Sequence, residues 1–305
     1  MPSANPHAAN PTIDVQGLVK SYGALRAVAG VNLRVEAGSI FGFLGPNGAG
    51  KTTTIRILLG LLRATDGSAR VLGLDAWRQS TEIRRHVGYL PGDVRFYDWM
   101  RGRTFLSFCN RARGGGCEAE IRRLCDRFHL DLSRRIRDYS RGMKQKLGVI
   151  QALMHRPEVL ILDEPTTALD PLVQQTVYEE LRAAAGEGRT VLFSSHTLSE
   201  VELLCDRVAI IRAGRIIEDS SISELRQRAL RRVELRLKQG ALREDLIPHG
   251  FTPRPSVDGV ICGSWAGSVE ELLRWLSTLD VADVTIGAPD LEDLFATYYE
   301  EAPRA

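Results

Sequence analysis

Apolar side chains recur along this chain at two spacings, and the exchange between them predicts an α/β fold. Residues Ile13–Val19 alternate apolar with polar, as a half-buried strand does, and a second strand is expected near Val28–Val35. Ile40–Leu44 is a short apolar run, and Val159–Leu162 is an unbroken one, the pattern of a central parallel strand. After the first of these runs, Ile55, Leu58, Leu59 and Leu62 return at the spacing of one helix face, and Met143, Leu147, Ile150 and Met154 mark another. Asp66-Gly67-Ser68 predicts a turn into a strand over Ala69–Gly73, and Ile83–Leu90 runs into the Pro/Gly-marked break Gly-Tyr-Leu-Pro-Gly at 88–92. Arg189–Ser195 reads as a strand, and Val208–Arg212 with Arg215–Glu218 as a hairpin turned at Ala213-Gly214.

Two stretches break this rhythm. From about Tyr97 to His155 the strand-like runs vanish and the chain becomes helical and Arg-rich, which predicts a helical insertion over about 93–157. Its arginines (Arg101, Arg103, Arg111, Arg113, Arg122, Arg123, Arg134, Arg135, Arg137) read as a solvated helical face before they read as a surface for lipid headgroups or a partner. Beyond residue 222 a second alternation begins: a basic helix over Glu224–Arg232, a strand at Val233–Lys238 and a helix near Ala241–Ile247. A strand around Gly259–Ser264, a helix over Ser268–Leu279, a strand at Val284–Gly287 and a helix over Leu291–Tyr299 complete it. That order suggests a small α+β appendage of split βαβ type at 223–305, behind a larger domain at 12–222.

Composition narrows the class. A chain of 305 residues with 44% apolar content has core enough for two domains. A net charge of +2 gives no global field that would argue for nucleic acid. The five cysteines are scattered with no C-x-x-C pair, which argues for a reducing compartment rather than disulfides or zinc. No apolar run approaches the roughly 18 residues that span a bilayer. Residues 1–11 lack the features of a secretion signal and read as a disordered tail. A membrane role would therefore come through a partner.

The chemistry gathers around Gly45-Pro46-Asn47-Gly48-Ala49-Gly50-Lys51-Thr52-Thr53, placed between an apolar strand and an amphipathic helix. In that context G-x-x-x-x-G-K-[ST] means a phosphate-binding loop. Its glycines let backbone N–H groups turn toward an anion, and the helix aims its positive end there. Lys51 is expected to reach the β- and γ-phosphates, and the Thr52 hydroxyl to ligate Mg²⁺. Asp163 and Glu164 end the apolar run at 159–162, a costly place for two carboxylates unless they have a cation or a proton to handle. Asp163 suits a contact to Mg²⁺ through its water shell, and Glu164 a general base on attacking water. Tyr22 is either a packing residue or, in a nucleotide-binding domain, a ring for adenine to stack on. Ser140 is a good N-cap, opening a second helix N-terminus that could receive an anion. Asp170-Pro171 opens a further helix with Asp at the cap and Pro at the first position. His196 is either structural or, at the C-terminal end of a strand where α/β sheets place ligands, part of the same site.

Taken in order, these motifs resemble the nucleotide-binding subunit of an ATP-binding cassette (ABC) transporter, over about residues 12–220. Gly45–Thr53 looks like the family's Walker A loop, Leu160–Glu164 like its Walker B strand with the catalytic carboxylate, and Tyr22 like its adenine-stacking aromatic. Ser140-Arg141-Gly142-Met143 is similar to the signature, Ala168-Leu169-Asp170 to the D-loop, and His196 to the switch histidine. The resemblance implies a P-loop NTPase core with an antiparallel β subdomain and a helical insertion. It implies ATP and Mg²⁺, with Glu164, His196 and Lys51 catalytic. It further implies a homodimer with each ATP between the phosphate loop of one copy and the signature of the other, coupled to an integral membrane permease. The protein would then be cytoplasmic and peripheral on the inner face of the cell membrane. The form Tyr139-Ser140-Arg141-Gly142-Met143 departs from the usual Leu-Ser-Gly-Gly-Gln and resembles exporters whose ATPase and permease are separate chains. Gly92, followed by Asp93, stands where the family carries a Gln. A soluble cassette of DNA repair or translation would bring coiled-coil or zinc insertions or two cassettes, and a P-loop kinase or GTPase would leave the signature and His196 unexplained. Pro289–Phe295 resembles a tail found on many exporter ATPases, and the appendage reads as a structural or dimer-contact module before it reads as a ligand sensor.

Overall fold

The computed structural model describes residues 11–238, 242, 246–257, 260–289 and 291. The chain forms two compact units that divide between Ser220 and Ser221.

The first unit begins with β1 (Ile13–Tyr22), β2 (Leu25–Val35) and β3 (Ile40–Leu44), followed by α1 (Lys51–Leu58), β4 (Asp66–Val71), β5 (Leu74–Asp75), α2 (Ser80–His86) and β6 (Val87–Leu90). Three helices follow, α3 (Gly102–Ala112), α4 (Glu118–Arg127) and α5 (Arg141–Leu153). The chain returns through β7 (Val159–Asp163), α6 (Pro171–Gly186), β8 (Thr190–Ser195), α7 (Leu198–Leu204), β9 (Arg207–Arg212) and β10 (Arg215–Ser221). Two sheets result. One is antiparallel, in the order β2-β1-β4-β5, and the other has six strands in the order β10-β9-β3-β8-β7-β6. Within the larger sheet β9, β3, β8, β7 and β6 run parallel. Every residue of β3, β7 and β8 is buried, as parallel strands covered on both faces must be. One core runs through both sheets, from Ile13, Leu18 and Val31 on the antiparallel one to Phe41, Phe43 and Ile161 on the parallel one, with Ile55 and Leu58 of α1 between.

Register decides where the loops leave. Leu44 pairs with Ser195 and Asp163 with Ser194, so β3, β7 and β8 end level with one another. The segments starting at Gly45, Glu164 and His196 thus emerge side by side at the carboxyl edge of the sheet, where open α/β sheets bind ligands.

The helices between β6 and β7 are held by polar clamps. Glu180 of α6 is buried, and its carboxylate receives both terminal nitrogens of Arg123 at 2.9 and 2.6 Å and Nε of Arg127 at 3.2 Å. Arg123 also reaches Glu120 at 2.8 Å, and Arg113 donates to the carbonyls of Arg85 and Val87. All nine arginines singled out in the sequence are exposed, as a solvated face requires, and two of them, Arg113 and Arg123, also tie their helices to elements far away in sequence. Among the described residues no helix is long and apolar enough to cross a membrane.

Local differences from the sequence pattern have local causes. The helix after the phosphate loop stops at Leu58, and Gly60 turns left-handed (φ 62°) with a Ser80 side chain against it, so Leu62 lies beyond the helix. Asp66–Ser68 is not a turn but the start of β4, paired along β1.

The second unit packs α9 (Val269–Leu276) with a sheet of β11 (Arg231–Leu237), β12 (Phe251–Val257), β13 (Val260–Trp265) and β14 (Val281–Pro289), in the order β12-β13-β11-β14. The helix α8 (Ile222–Arg228) precedes it, opened by a capping box between Ser221 and Glu224. It ends four residues short of the sequence expectation, because Arg231 and Arg232 belong to β11. β11 is antiparallel to both β13 and β14, so those two run parallel with β11 between them and α9 connecting them, a split βαβ arrangement. Val233, Leu235, Phe251, Trp265, Leu272 and Trp275 form its core, and the two indoles stack at 6.0 Å. β12 escapes the sequence reading because Pro253 and Pro255 interrupt it, which an edge strand tolerates. The expected tail at 1–11 lies outside the described residues except for its last position, and the helices expected near 241–247 and 291–299 lie largely outside them.

Candidate nucleotide site

The loop from Gly45 to Gly50 is shaped by what surrounds it. A Cβ on Gly45 would stand 2.3 Å from the Ile211 carbonyl oxygen, and one on Gly50 would stand 2.6 Å from that of Ala27. Gly50 is also left-handed (φ 113°) as the N-cap of α1, so both positions exclude any side chain. Backbone bonds from Gly45 N to the Ser195 carbonyl and from Gly214 N to the Ala49 carbonyl pin the loop to β8 and to the turn after β9.

A cleft lined by Ala27, Pro46, Asn47, Gly48, Gly50, Lys51, Thr52, Thr53 and Glu164 opens over it. Lys51 is 5% exposed and donates to the Gly45 and Pro46 carbonyls at 2.5 and 3.2 Å. Burial pulls its pKa below the ordinary lysine value, and the Glu164 and Asp163 carboxylates oppose that fall. The Thr52 hydroxyl donates to Asp163 Oδ2 at 2.7 Å. A hydroxyl and a carboxylate side by side at the cleft floor are the hard oxygen donors that Mg²⁺ takes, with waters and phosphate oxygens completing its shell. Among the described residues no cluster of three or more His, Cys, Asp or Glu offers a competing metal centre.

Glu164 is the hinge of the arrangement. It adopts a left-handed backbone (φ 51°), uncommon for a side chain with a Cβ. Its Oε1 lies 3.8 Å from Lys51 Nζ and its Oε2 3.3 Å from His196 Nδ1. A second cleft adjoins here, lined by Thr166, Thr167, Ala168, Gln174 and Ser195–Thr197 together with Glu164 and Glu200.

The structure thus brings Gly45–Thr53, Asp163, Glu164 and His196 together. It leaves the other sequence candidates outside the phosphate cleft. Tyr22 ends β1 with its ring half exposed and Lys20 Nζ 5.1 Å from the ring centroid. Ser140 caps α5 by accepting from Met143 N at 3.2 Å, with Arg141 exposed and Gly142 and Met143 half-buried. A Cβ on Gly142 would meet the Ala168 carbonyl at 2.8 Å, so the start of α5 abuts the turn before Asp170. Asp170 itself caps α6, accepting from Val173 N at 3.1 Å. Gly92 lies against the metal-side carboxylate: a Cβ there would stand 3.3 Å from Asp163 Oδ2, while Asp93 turns away to pair with Arg95 at 2.8 Å.

Sequence reasoning missed two residues that hold this geometry. Ser194, fully buried on β8, donates to Asp163 Oδ1 at 2.5 Å while its Oγ and carbonyl oxygen both accept from Glu164 N at 3.2 Å. Gln145, on α5, donates to the carbonyls of Glu164 and Pro165 at 3.2 and 2.9 Å, tying the capped helix to the carboxylate loop. The Ser-Ser pair before His196 was the available signal for the first. The Gln five residues after Ser140, in the same helix, was the signal for the second.

A family model described as ABC transporter matches residues 28–167. The chain is 33% identical over 292 residues to the bacitracin transport ATP-binding protein BcrA of Enterococcus faecalis, covering 93% of this chain and 95% of that protein. It is 39% identical over 223 residues to the daunorubicin resistance ATP-binding protein DrrA3 of Streptomyces coeruleorubidus, covering 72% and 71%. A solved ATP-binding subunit of an ABC transporter is 30% identical with a TM-score of 0.66, covering 71% of this chain and 92% of that one.

Proposed function

This chain belongs to the ABC transporter family as an ATP-binding subunit, and from that premise we propose that it powers export through a separate integral membrane permease. It is an ATPase of the family and uses ATP with Mg²⁺. Export is supported by the drug-resistance relative and by the Tyr-Ser-Arg-Gly-Met form of its signature. The chain would act at the inner face of the cell membrane, as a head-to-tail homodimer.

The observation that carries the reading is the Glu164 carboxylate, poised between Lys51 Nζ and His196 Nδ1 at the mouth of the phosphate cleft. Lys51 exchanges its loop carbonyls for β- and γ-phosphate oxygens when ATP enters, and the backbone N–H groups of the loop take the rest of the phosphate charge. Thr52 and Asp163 would hold Mg²⁺, which would supply neutralisation of phosphate charge. Glu164 accepts the proton of the attacking water, and His196 steadies that carboxylate and faces the γ-phosphate. Tyr22 stacks on adenine. Ser140, Arg141, Gly142 and Met143, with Asp170, complete the site of the opposite copy, where the α5 N-terminus receives the γ-phosphate of its partner's ATP. Chemistry is mainly positioning and charge stabilisation.

Affinity purification from detergent-solubilised native membranes tests the transport half of this reading. A polytopic membrane protein recovered in stoichiometric amount, and stimulating ATP hydrolysis, is the expected outcome. Ribosomes or DNA recovered in its place would contradict it.

A further inference from the structure

Glu200 lies on α7, four residues beyond His196, and no step above uses it. Its half-buried carboxylate is where three buried hydroxyls converge. Oε1 accepts from Thr166 Oγ1 at 2.5 Å and from Tyr178 OH at 3.3 Å, and Oε2 accepts from Ser195 Oγ at 2.5 Å. The donors come from the loop after β7, from α6 and from the end of β8, and all three are buried. Short bonds to an ionised acceptor are roughly twice as strong as neutral ones, so this carboxylate is a firm junction. Two of its donors lead to reacting groups. Thr166 stands two residues after Glu164, in a turn where Thr167 N donates to the Glu164 carbonyl at 3.3 Å and Thr167 Oγ1 to Glu164 Oε2 at 3.4 Å. Ser195 immediately precedes His196, and its Oγ also accepts from Thr197 N at 2.9 Å, closing the turn that carries His196 at its apex. Glu200 lines the same cleft as Glu164 and His196.

We propose that Glu200 is a positioning residue for hydrolysis, tying the Glu164 loop to the His196 turn so that the two side chains keep their 3.3 Å contact. The inference rests on the roles of Glu164 and His196 in the reading above. A purely structural Glu200 would lower thermal stability and leave turnover per folded molecule unchanged. A positioning Glu200 acts on turnover and spares binding, since its side-chain bonds do not reach the phosphate loop, which meets this junction only through the main-chain bond from Gly45 N to the Ser195 carbonyl.

The test uses the full chain carrying Glu200→Gln, which keeps the side chain's shape but replaces one acceptor oxygen with a donor. Steady-state ATPase kinetics, Mg-ADP binding by calorimetry and thermal unfolding are measured together. The kcat is expected to fall about 10- to 100-fold, the scale of a misplacement of about 1 Å, with KM and Mg-ADP affinity near wild type. Ser195→Ala, which cuts one arm, should fall in the same direction and carries the test if Glu200→Gln does not fold. Placed in a His196→Ala background, Glu200→Gln should lose most of its effect, because coupled residues are not additive. Wild-type kcat in both Glu200→Gln and Ser195→Ala, or an undiminished loss in the His196→Ala background, would overturn the proposal. A Glu164→Gln control separates the two levels: if it turns over normally, the reading of the site fails, and if it alone stalls, only the role of Glu200 fails.

Discussion

Glu164→Gln should bind Mg-ATP as the wild type does and hydrolyse it on the order of 10²–10⁴-fold more slowly, the usual contribution of a general base, or about 3–5 kcal/mol of barrier. Gln matches Glu in shape but cannot take the water's proton at neutral pH. The substitution also leaves the loop intact, because the Glu164 backbone is held by Ser194 and Gln145 through main-chain atoms that it does not touch. The contact to Lys51 loses its ionic character, yet Lys51 keeps its carbonyl partners and remains ready for phosphate. Single-turnover hydrolysis of radiolabelled ATP beside equilibrium binding separates the two effects. Turnover at the wild-type rate would remove Glu164 as the base.

Lys51→Ala should fail one step earlier. Its ammonium is almost fully buried, and burial has already weakened its hold on the proton, so it lacks the water that a surface lysine keeps. A phosphate is the compensating charge such a group needs. Truncating one partner of a buried charge pair costs about 2–5 kcal/mol, an affinity loss of about 30- to 5,000-fold. Calorimetric titration with ATP should show that loss, with Glu164→Gln close to wild type in the same experiment. Unchanged affinity in Lys51→Ala would place the phosphates elsewhere than in this cleft.

The parts of this site that were legible in the sequence are those built by contiguous residues. Gly45–Thr53 declares its loop because strand, glycines and helix follow one another, and Asp163 and Glu164 declare themselves by ending an apolar run. The same holds for β3 and β7, whose burial on both faces leaves a nearly continuous hydrophobic trace. What stayed hidden depends on register between distant strands. Ser194 reaches Asp163 only because those two residues pair across β7 and β8, and Glu200 gathers Thr166, Tyr178 and Ser195 from three elements. Arg123 and Arg127 are solvent-facing charges, and only the packing of α6 reveals that both also pair with the buried Glu180. Proline hid β12, because an edge strand has no need of the N–H that proline lacks.

Two helix starts that could each receive an anion, at Gly50 and at Ser140, are explained together if each ATP lies between two copies. Light scattering of the Glu164→Gln protein after size exclusion in Mg-ATP tests this most directly, since slow hydrolysis should hold the sandwich closed. The expected result is a particle of twice the monomer mass with ATP and one of monomer mass with ADP, and Ser140→Arg added to the same protein should return it to monomer. A Glu164→Gln protein that stalls with ATP bound yet stays monomeric would contradict the shared site.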